Sequence, residues 1–199
     1  MPIGSMIEGI RKETSRPGRR SETAATMKPA MNAIPLLATL LEAMREEHLD
    51  AVLIGNAAAA MQGAPVTTLD FDFMFRDTAA NMQKLKRVAK RLEAVILRPF
   101  YPVSKLYRLT ADSSGLQADF MPVIHGIRSY EGLKARGVDQ QVGGIPLRIA
   151  CLDDIIASKK AAGRDRDLAV LPVLERTRRQ IGGGPTAPRS RGSNRPPAR

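Results

Sequence analysis

The chain has 199 residues, 43% of them hydrophobic and 4% aromatic, with no Trp and a formal net charge of +11. That length is a prior for one domain with small appendages, and the core must rest on Leu, Ile, Val, Ala and Met. No apolar run reaches the roughly 20 residues of a membrane span, and the lone Cys151 excludes an internal disulfide and fits a reducing cytoplasm.

Residues 1–30 carry six Lys/Arg against three Glu, and 181–199 carry four Arg and no acid, so the segment between keeps only +4 of the +11. Much of the basic character therefore belongs to the ends, where flexible segments meet RNA or another polyanion, or simply aid solubility. Residues 1–30 are rich in Arg, Ser, Thr and Gly without periodicity and are expected to be mostly disordered. They lack the continuous apolar stretch of a secretory signal; Met27 and Met31, just ahead of the patterned region, are alternative starts.

Leu36, Leu37, Leu40, Leu41 and Met44 recur at helical spacing and predict a helix over 32–48. Asp50 to Ile54 reads as a strand entering a Gly55-Asn56 turn. A short Ala-rich helix follows over 56–62, with Asn56 as its N-cap and Gly63 beyond its end. Leu69 to Phe75 alternates: Leu69, Phe71, Phe73 and Phe75 on one face, Asp70, Asp72 and Met74 on the other. That pattern predicts a strand with one face on the core and one in a cleft. Asp77 is expected to cap a helix running to about Leu92, whose Lys84, Lys86, Arg87, Lys90 and Arg91 form a solvated basic face. Strands follow near 94–98, 106–110 and 116–123, while 126–139 has no clear pattern. A strand over 144–149 leads to a helix over 152–162, with Asp153 and Asp154 in its first turn as the macrodipole favours. Gly163 breaks it, and a last helix runs from Asp165 to about Gln180. Gly182 onward is Gly/Pro/Arg/Ser-rich tail. The expected fold is α+β: a mixed β-sheet with flanking helices and a two-helix C-terminal addition. The chain divides into a basic segment (1–30), the domain (31–180) and the tail (181–199).

Chemistry concentrates at 54–72. Residues two apart on a strand share a face, so Asp70 and Asp72 project together beside the start of a helix. Paired carboxylates chelate a hard cation such as Mg2+, and a helix N-terminus holds phosphate through free N–H groups. Together they suggest a metal–triphosphate site.

The arrangement resembles the nucleotidyltransferase superfamily: an apolar strand ending in Gly-Gly or Gly-Ser (here Gly55-Asn56), a spacer, Asp-x-Asp (Asp70-Phe71-Asp72) and a third Asp on a later strand (Asp119). It is similar to the bacterial AbiEii-like group, several of which are toxins of toxin–antitoxin systems. That group shows Thr-x-Asp-x-Asp, here Thr68 to Asp72, and Lys-x-x-Ala-x-x-x-Arg, here Lys159 to Arg166. A final acidic motif begins at Asp167. The likeness spans about 32–180. It implies a nucleotidyltransferase-like domain that moves an NMP from an NTP to an acceptor hydroxyl on RNA (a tRNA end), protein or a small molecule. Mg2+ (or Mn2+) would be the cofactor, no membrane is involved, and an antitoxin would be a partner. Asp70, Asp72 and Asp119 would hold metal, Asp119 also serving as base. Gly55, Asn56, Thr68, Lys159, Arg164 and Arg166 would face the nucleotide. The chain departs from the pattern at Asn56, at Val66 where an Arg is usual, and at Val170 where a second Asp is usual.

Several of these residues also suit a purely structural role. Asp-x-Asp alone is common in surface strands and turns. Asp119, in an apolar stretch, is held either by metal or by ion pairing with an Arg. Lys159 and Lys160 could be an exposed helix face, and Arg164 to Asp167 only helix pairs and a cap. Val66 and Val170 favour a catalytically degenerate nucleotide- or RNA-binding module of the same fold. His48 and His125 carry no assigned role, and Cys151 reads as a buried structural thiol.

Overall fold

The computed structural model describes residues 33–68 and 70–182. The disorder expected for 1–30, the tail from 183 and the place of Leu69 lie outside the described residues. In chain order the elements are α1 (Ala33–Glu46), β1 (Ala51–Ile54), α2 (Gly55–Met61), β2 (Phe71–Phe75), α3 (Ala79–Arg91), β3 (Val95–Leu97), β4 (Tyr107–Ala111), β5 (Leu116–Met121), α4 (Tyr130–Arg136), β6 (Val138–Val142), β7 (Ile145–Ile149), α5 (Leu152–Ala162) and α6 (Asp165–Gly182). None of the described helices is long and apolar enough to cross a membrane.

The strands form one seven-stranded sheet in the order β3-β4-β5-β2-β1-β7-β6. β2 runs parallel to β5 and β1 parallel to β7, while the other pairings are antiparallel. The architecture is therefore the α+β mixed sheet with flanking helices that the alternation of patterns predicts. α1 packs on α3 and β7, and α5 packs on α6 and α2. The α1 stripe buries Leu37, Leu40, Leu41 and Met44, one face of a 3.6-residue repeat.

Register decides where the core ends and the cleft begins. One face of the sheet carries the row Leu53, Phe73, Phe120, Tyr107. The Phe73 and Phe120 rings stack with centroids 5.0 Å apart, and Phe75 meets both Phe120 and Tyr107 edge-on at 5.9 Å. Offset and edge-on contacts of this kind add about 1 kcal/mol each beyond burial. The opposite face carries Ile54, Asp72, Asp119 and Arg108 in one row, and Val52, Met74 and Met121 in the next. Met74 is fully buried. The expected open face of Asp70, Asp72 and Met74 is thus open only at the start of β2, and Asp70 lies just ahead of the strand.

Local capping corrects two expectations. Thr78, not Asp77, caps α3: its hydroxyl accepts from the Asn81 N–H at 3.1 Å, since it is the residue immediately before the first helical one. Asp77 turns instead to Lys105 Nζ (2.9 Å) and the Tyr107 hydroxyl (3.3 Å). At α2 the N-cap is Ile54, with no side-chain cap, and Asn56 sits inside the helix. The unpatterned 126–139 segment holds α4, capped by Ser129 through the Gly132 N–H, and the start of β6.

Candidate active site

A cleft of about 470 Å³ opens where β1, β2, β5 and β4 present their polar row. Gly55, Asn56, Thr68, Asp70, Asp72, Asp119, Lys159, Arg164 and Arg166 all line it, so residues spread over more than a hundred positions meet in one place. Arg108, Phe100, Tyr101 and His125 join them and were not singled out by sequence.

The β1–α2 junction is set by hydrogen bonds to β7: the Ala150 N–H donates to the Leu53 carbonyl at 2.8 Å. Gln62 Nε2 bridges the Ala58 and Ala150 carbonyls, each at 2.9 Å. This places Gly55 against β2. Gly55 has φ +68, and a Cβ there would lie 2.7 Å from Asp72 Oδ2. What requires a bare backbone at this point is therefore the carboxylate of Asp72. Thr68 shapes the approach to β2: its hydroxyl receives the Asp70 N–H (3.3 Å) and donates to the Asp70 carbonyl (3.1 Å).

The Asp72 carboxylate takes no hydrogen bond or ion pair among the described residues. Burial pushes its carboxyl up to about 6, with the charges of Asp119 and Asp70 adding to the rise and those of Lys159 and Arg108 opposing it. Asp119 is buried and doubly bonded to Arg108, whose Nε and Nη2 donate to Oδ1 and Oδ2 at 2.8 and 2.7 Å. Asp119 thus has an Arg partner, and that Arg escapes a local reading because its partner is eleven residues away on the next strand. Its signal was an Arg alternating with buried Tyr107 and Leu109.

The C-terminal helices supply cations. Lys159 is turned inward, its side chain 12% exposed, and donates to Asp167 Oδ1 at 3.1 Å; Lys160 is the outward one and pairs with Glu175. Arg164 Nε bonds Asp167 Oδ2 at 2.5 Å. Asp167 is buried. Burial alone would raise its carboxyl, but the hydrogen bonds from Arg164 and Lys159 outweigh it and hold Asp167 below the usual range. It thereby fixes both cations on the cleft wall. Arg166 is exposed and has no carboxylate partner among the described residues. Val66 and Val170 pack against the apolar core. Cys151 is half-buried, and its thiol donates to Asp154 Oδ2 at 3.4 Å.

Among the described residues no group of three or more His, Cys, Asp or Glu is arranged to hold a metal ion. Two oxygen donors nonetheless lack partners in the cleft: the Asp72 carboxylate, and Asn56 Oδ1, which is buried without a hydrogen bond. A hard cation or its water suits oxygen donors of this kind.

Matched against protein families and curated proteins, the sequence finds no relative. Solved structures do share the fold. The antibiotic-resistance factor ANT(2″)-Ia in solution aligns with TM-score 0.51 and 14% identity over 75% of this chain and 90% of that one. The same protein in complex with adenylyl-2″-tobramycin gives 0.51 and 13% over 74% and 94%. The lincosamide antibiotic adenylyltransferase LnuA with lincomycin bound gives 0.52 and 12% over 71% and 95%. The fold is nucleotidyltransferase-like.

Proposed function

We propose that the protein is a Mg2+-dependent (or Mn2+-dependent) nucleotidyltransferase that moves an NMP from an NTP to an acceptor hydroxyl. The observation that carries it is a single cleft holding unpaired carboxylates at Asp70 and Asp72 with cations fixed by Asp167 at Lys159 and Arg164, and Arg166 beside them. In the reaction the acceptor oxygen forms a bond to the α-phosphorus, the bond to the bridging oxygen breaks, pyrophosphate leaves, and the acceptor proton passes to a base or solvent. Asp70 and Asp72 would hold the metal, which supplies charge neutralisation at the phosphates when bound. Lys159 would meet the β/γ-phosphates as a point charge, and Arg164 and Arg166 would add planar donors. Gly55 and Asn56 open a helix whose first N–H groups have no side-chain cap.

A nucleic-acid acceptor is favoured by basic surface on α3 and by an exposed ring on the cleft rim. On α3, Arg87 and Arg91 pair with Glu47, and Lys84 donates to the His48 carbonyl. Lys86 and Lys90 have no carboxylate partner among the described residues and line a groove with Arg98. Phe100 follows on the cleft rim, 89% exposed. Free cations and an exposed ring suit phosphates and a base. The toxin reading, with an antitoxin partner, draws support only from the Thr68–Asp72 and Lys159–Arg166 motifs. A second reading, a module that binds nucleotide without turnover, is favoured by Arg108 on Asp119.

Pyrophosphate release separates the two. With Mg2+, NTP and an RNA acceptor, wild type is expected to release pyrophosphate. Lys86→Glu/Lys90→Glu should weaken RNA stimulation about tenfold at 50 mM salt and less at higher salt. Release without any acceptor dependence would exclude the RNA assignment, and NTP retained unchanged would leave the binding module.

A further inference from the structure

Three adjacent strands bring Asp72, Asp119 and Arg108 to one face of the sheet in a single row. Arg108 commits two parallel donors to Asp119, at 2.8 and 2.7 Å, the fork geometry in which guanidinium–carboxylate pairs are strongest. The Asp119 side chain is 8% exposed and that of Arg108 33%, so water reaches the pair only from the guanidinium side. Both Asp119 oxygens are engaged. A dication binding there would displace a guanidinium from a buried carboxylate and meet its positive charge.

We propose that Arg108 takes the place of a second cation: it holds Asp119 and limits the cleft to one divalent ion, bound by Asp70 and Asp72. This rests on the metal–nucleotide reading above and sets its stoichiometry. Arg108 is a positioning residue. It fixes Asp119 on the row and leaves Asp72, its neighbour on β2, as the open ligand.

The test is calorimetric titration of the full chain with Mn2+ alone, with bound ion counted by electron paramagnetic resonance. Wild type is expected to take one Mn2+ per chain. Arg108→Gln frees Asp119 and raises uptake to two, and adding Asp119→Asn in that background returns it to one. Asp119→Asn alone keeps the single ion, its affinity changing by less than the roughly tenfold that a supporting carboxylate commands. A merely structural Arg108 would alter unfolding and leave the ion count at one. Two ions on wild type, one ion on a folded Arg108→Gln, or loss of the ion in Asp119→Asn would overturn the proposal and leave the metal–nucleotide site standing. No Mn2+ on a folded wild type would overturn both. Should Arg108→Gln fail to fold, the wild-type count and Asp119→Asn decide.

Discussion

Asp72→Asn should make the ligand-free protein more stable at pH 8 by about 1–3 kcal/mol while abolishing nucleotidyl transfer. The Asp72 carboxyl titrates at about 6 in the fold, against about 3.8 ordinarily, first because it is buried and then because Asp119 and Asp70 repel its charge. Its folded value lies above its unfolded one, so the fold binds this proton more tightly than the unfolded chain does. The favourable contribution is fully present below about pH 4 and is lost as pH rises through about 6. At pH 8 wild type carries the whole cost of ionising Asp72, and a neutral amide of the same shape removes it. Two pKa units correspond to about 3 kcal/mol at most, and partial exposure reduces this. Urea unfolding at pH 4 and pH 8 checks it: the variant's advantage should be large at pH 8 and shrink towards pH 4. A variant less stable than wild type at pH 8 would mean that Asp72 already has a partner in the fold. Stability given up at a site in this way is the expected mark of a functional charge.

Gly55→Ala is expected to destroy the site. A φ of +68 costs a non-glycine residue about 1–2 kcal/mol. The added Cβ would stand 2.7 Å from Asp72 Oδ2, inside contact distance, so the carboxylate must swing away. The loss should appear as at least a hundredfold weaker Mg2+-dependent nucleotide binding, about 3 kcal/mol, with modest destabilisation. Gly63→Ala is the control: its φ is +88 but nothing lies within 4 Å of the new Cβ. It should lose a similar amount of stability and keep binding. Equal binding losses in both variants would show that backbone strain, not the approach of Asp72, is responsible.

The elements legible in the sequence are those where burial follows one period. α1 and α5 carry apolar residues at helical spacing, β1 is a short continuous apolar run, and β2 alternates around its aspartates. α4 was illegible because it has seven residues, a central Gly132 and only Tyr130 and Leu133 buried. Met74 shares the face of Asp72, as the alternation predicts, but is fully buried, because alternation shows which residues share a face, not how far along the strand that face stays open. Within the cleft, local motifs pointed to Asp70, Asp72 and Lys159. The partners of Asp119 and Lys159 depend on strand register and on how α5 meets α6, which no local pattern encodes. That is why Arg108 went unnoticed and why Asp167 emerged as the anchor of the basic wall.

The most direct test of the central claim is calorimetric titration of each NTP into wild type and into Asp70→Ala/Asp72→Ala, with and without Mg2+. The predicted result is binding that requires Mg2+ and disappears in the double variant while its fold persists. A folded wild type that binds no NTP, or binds it equally well without Mg2+ and without the two carboxylates, would contradict the assignment of this cleft to metal-held nucleotide.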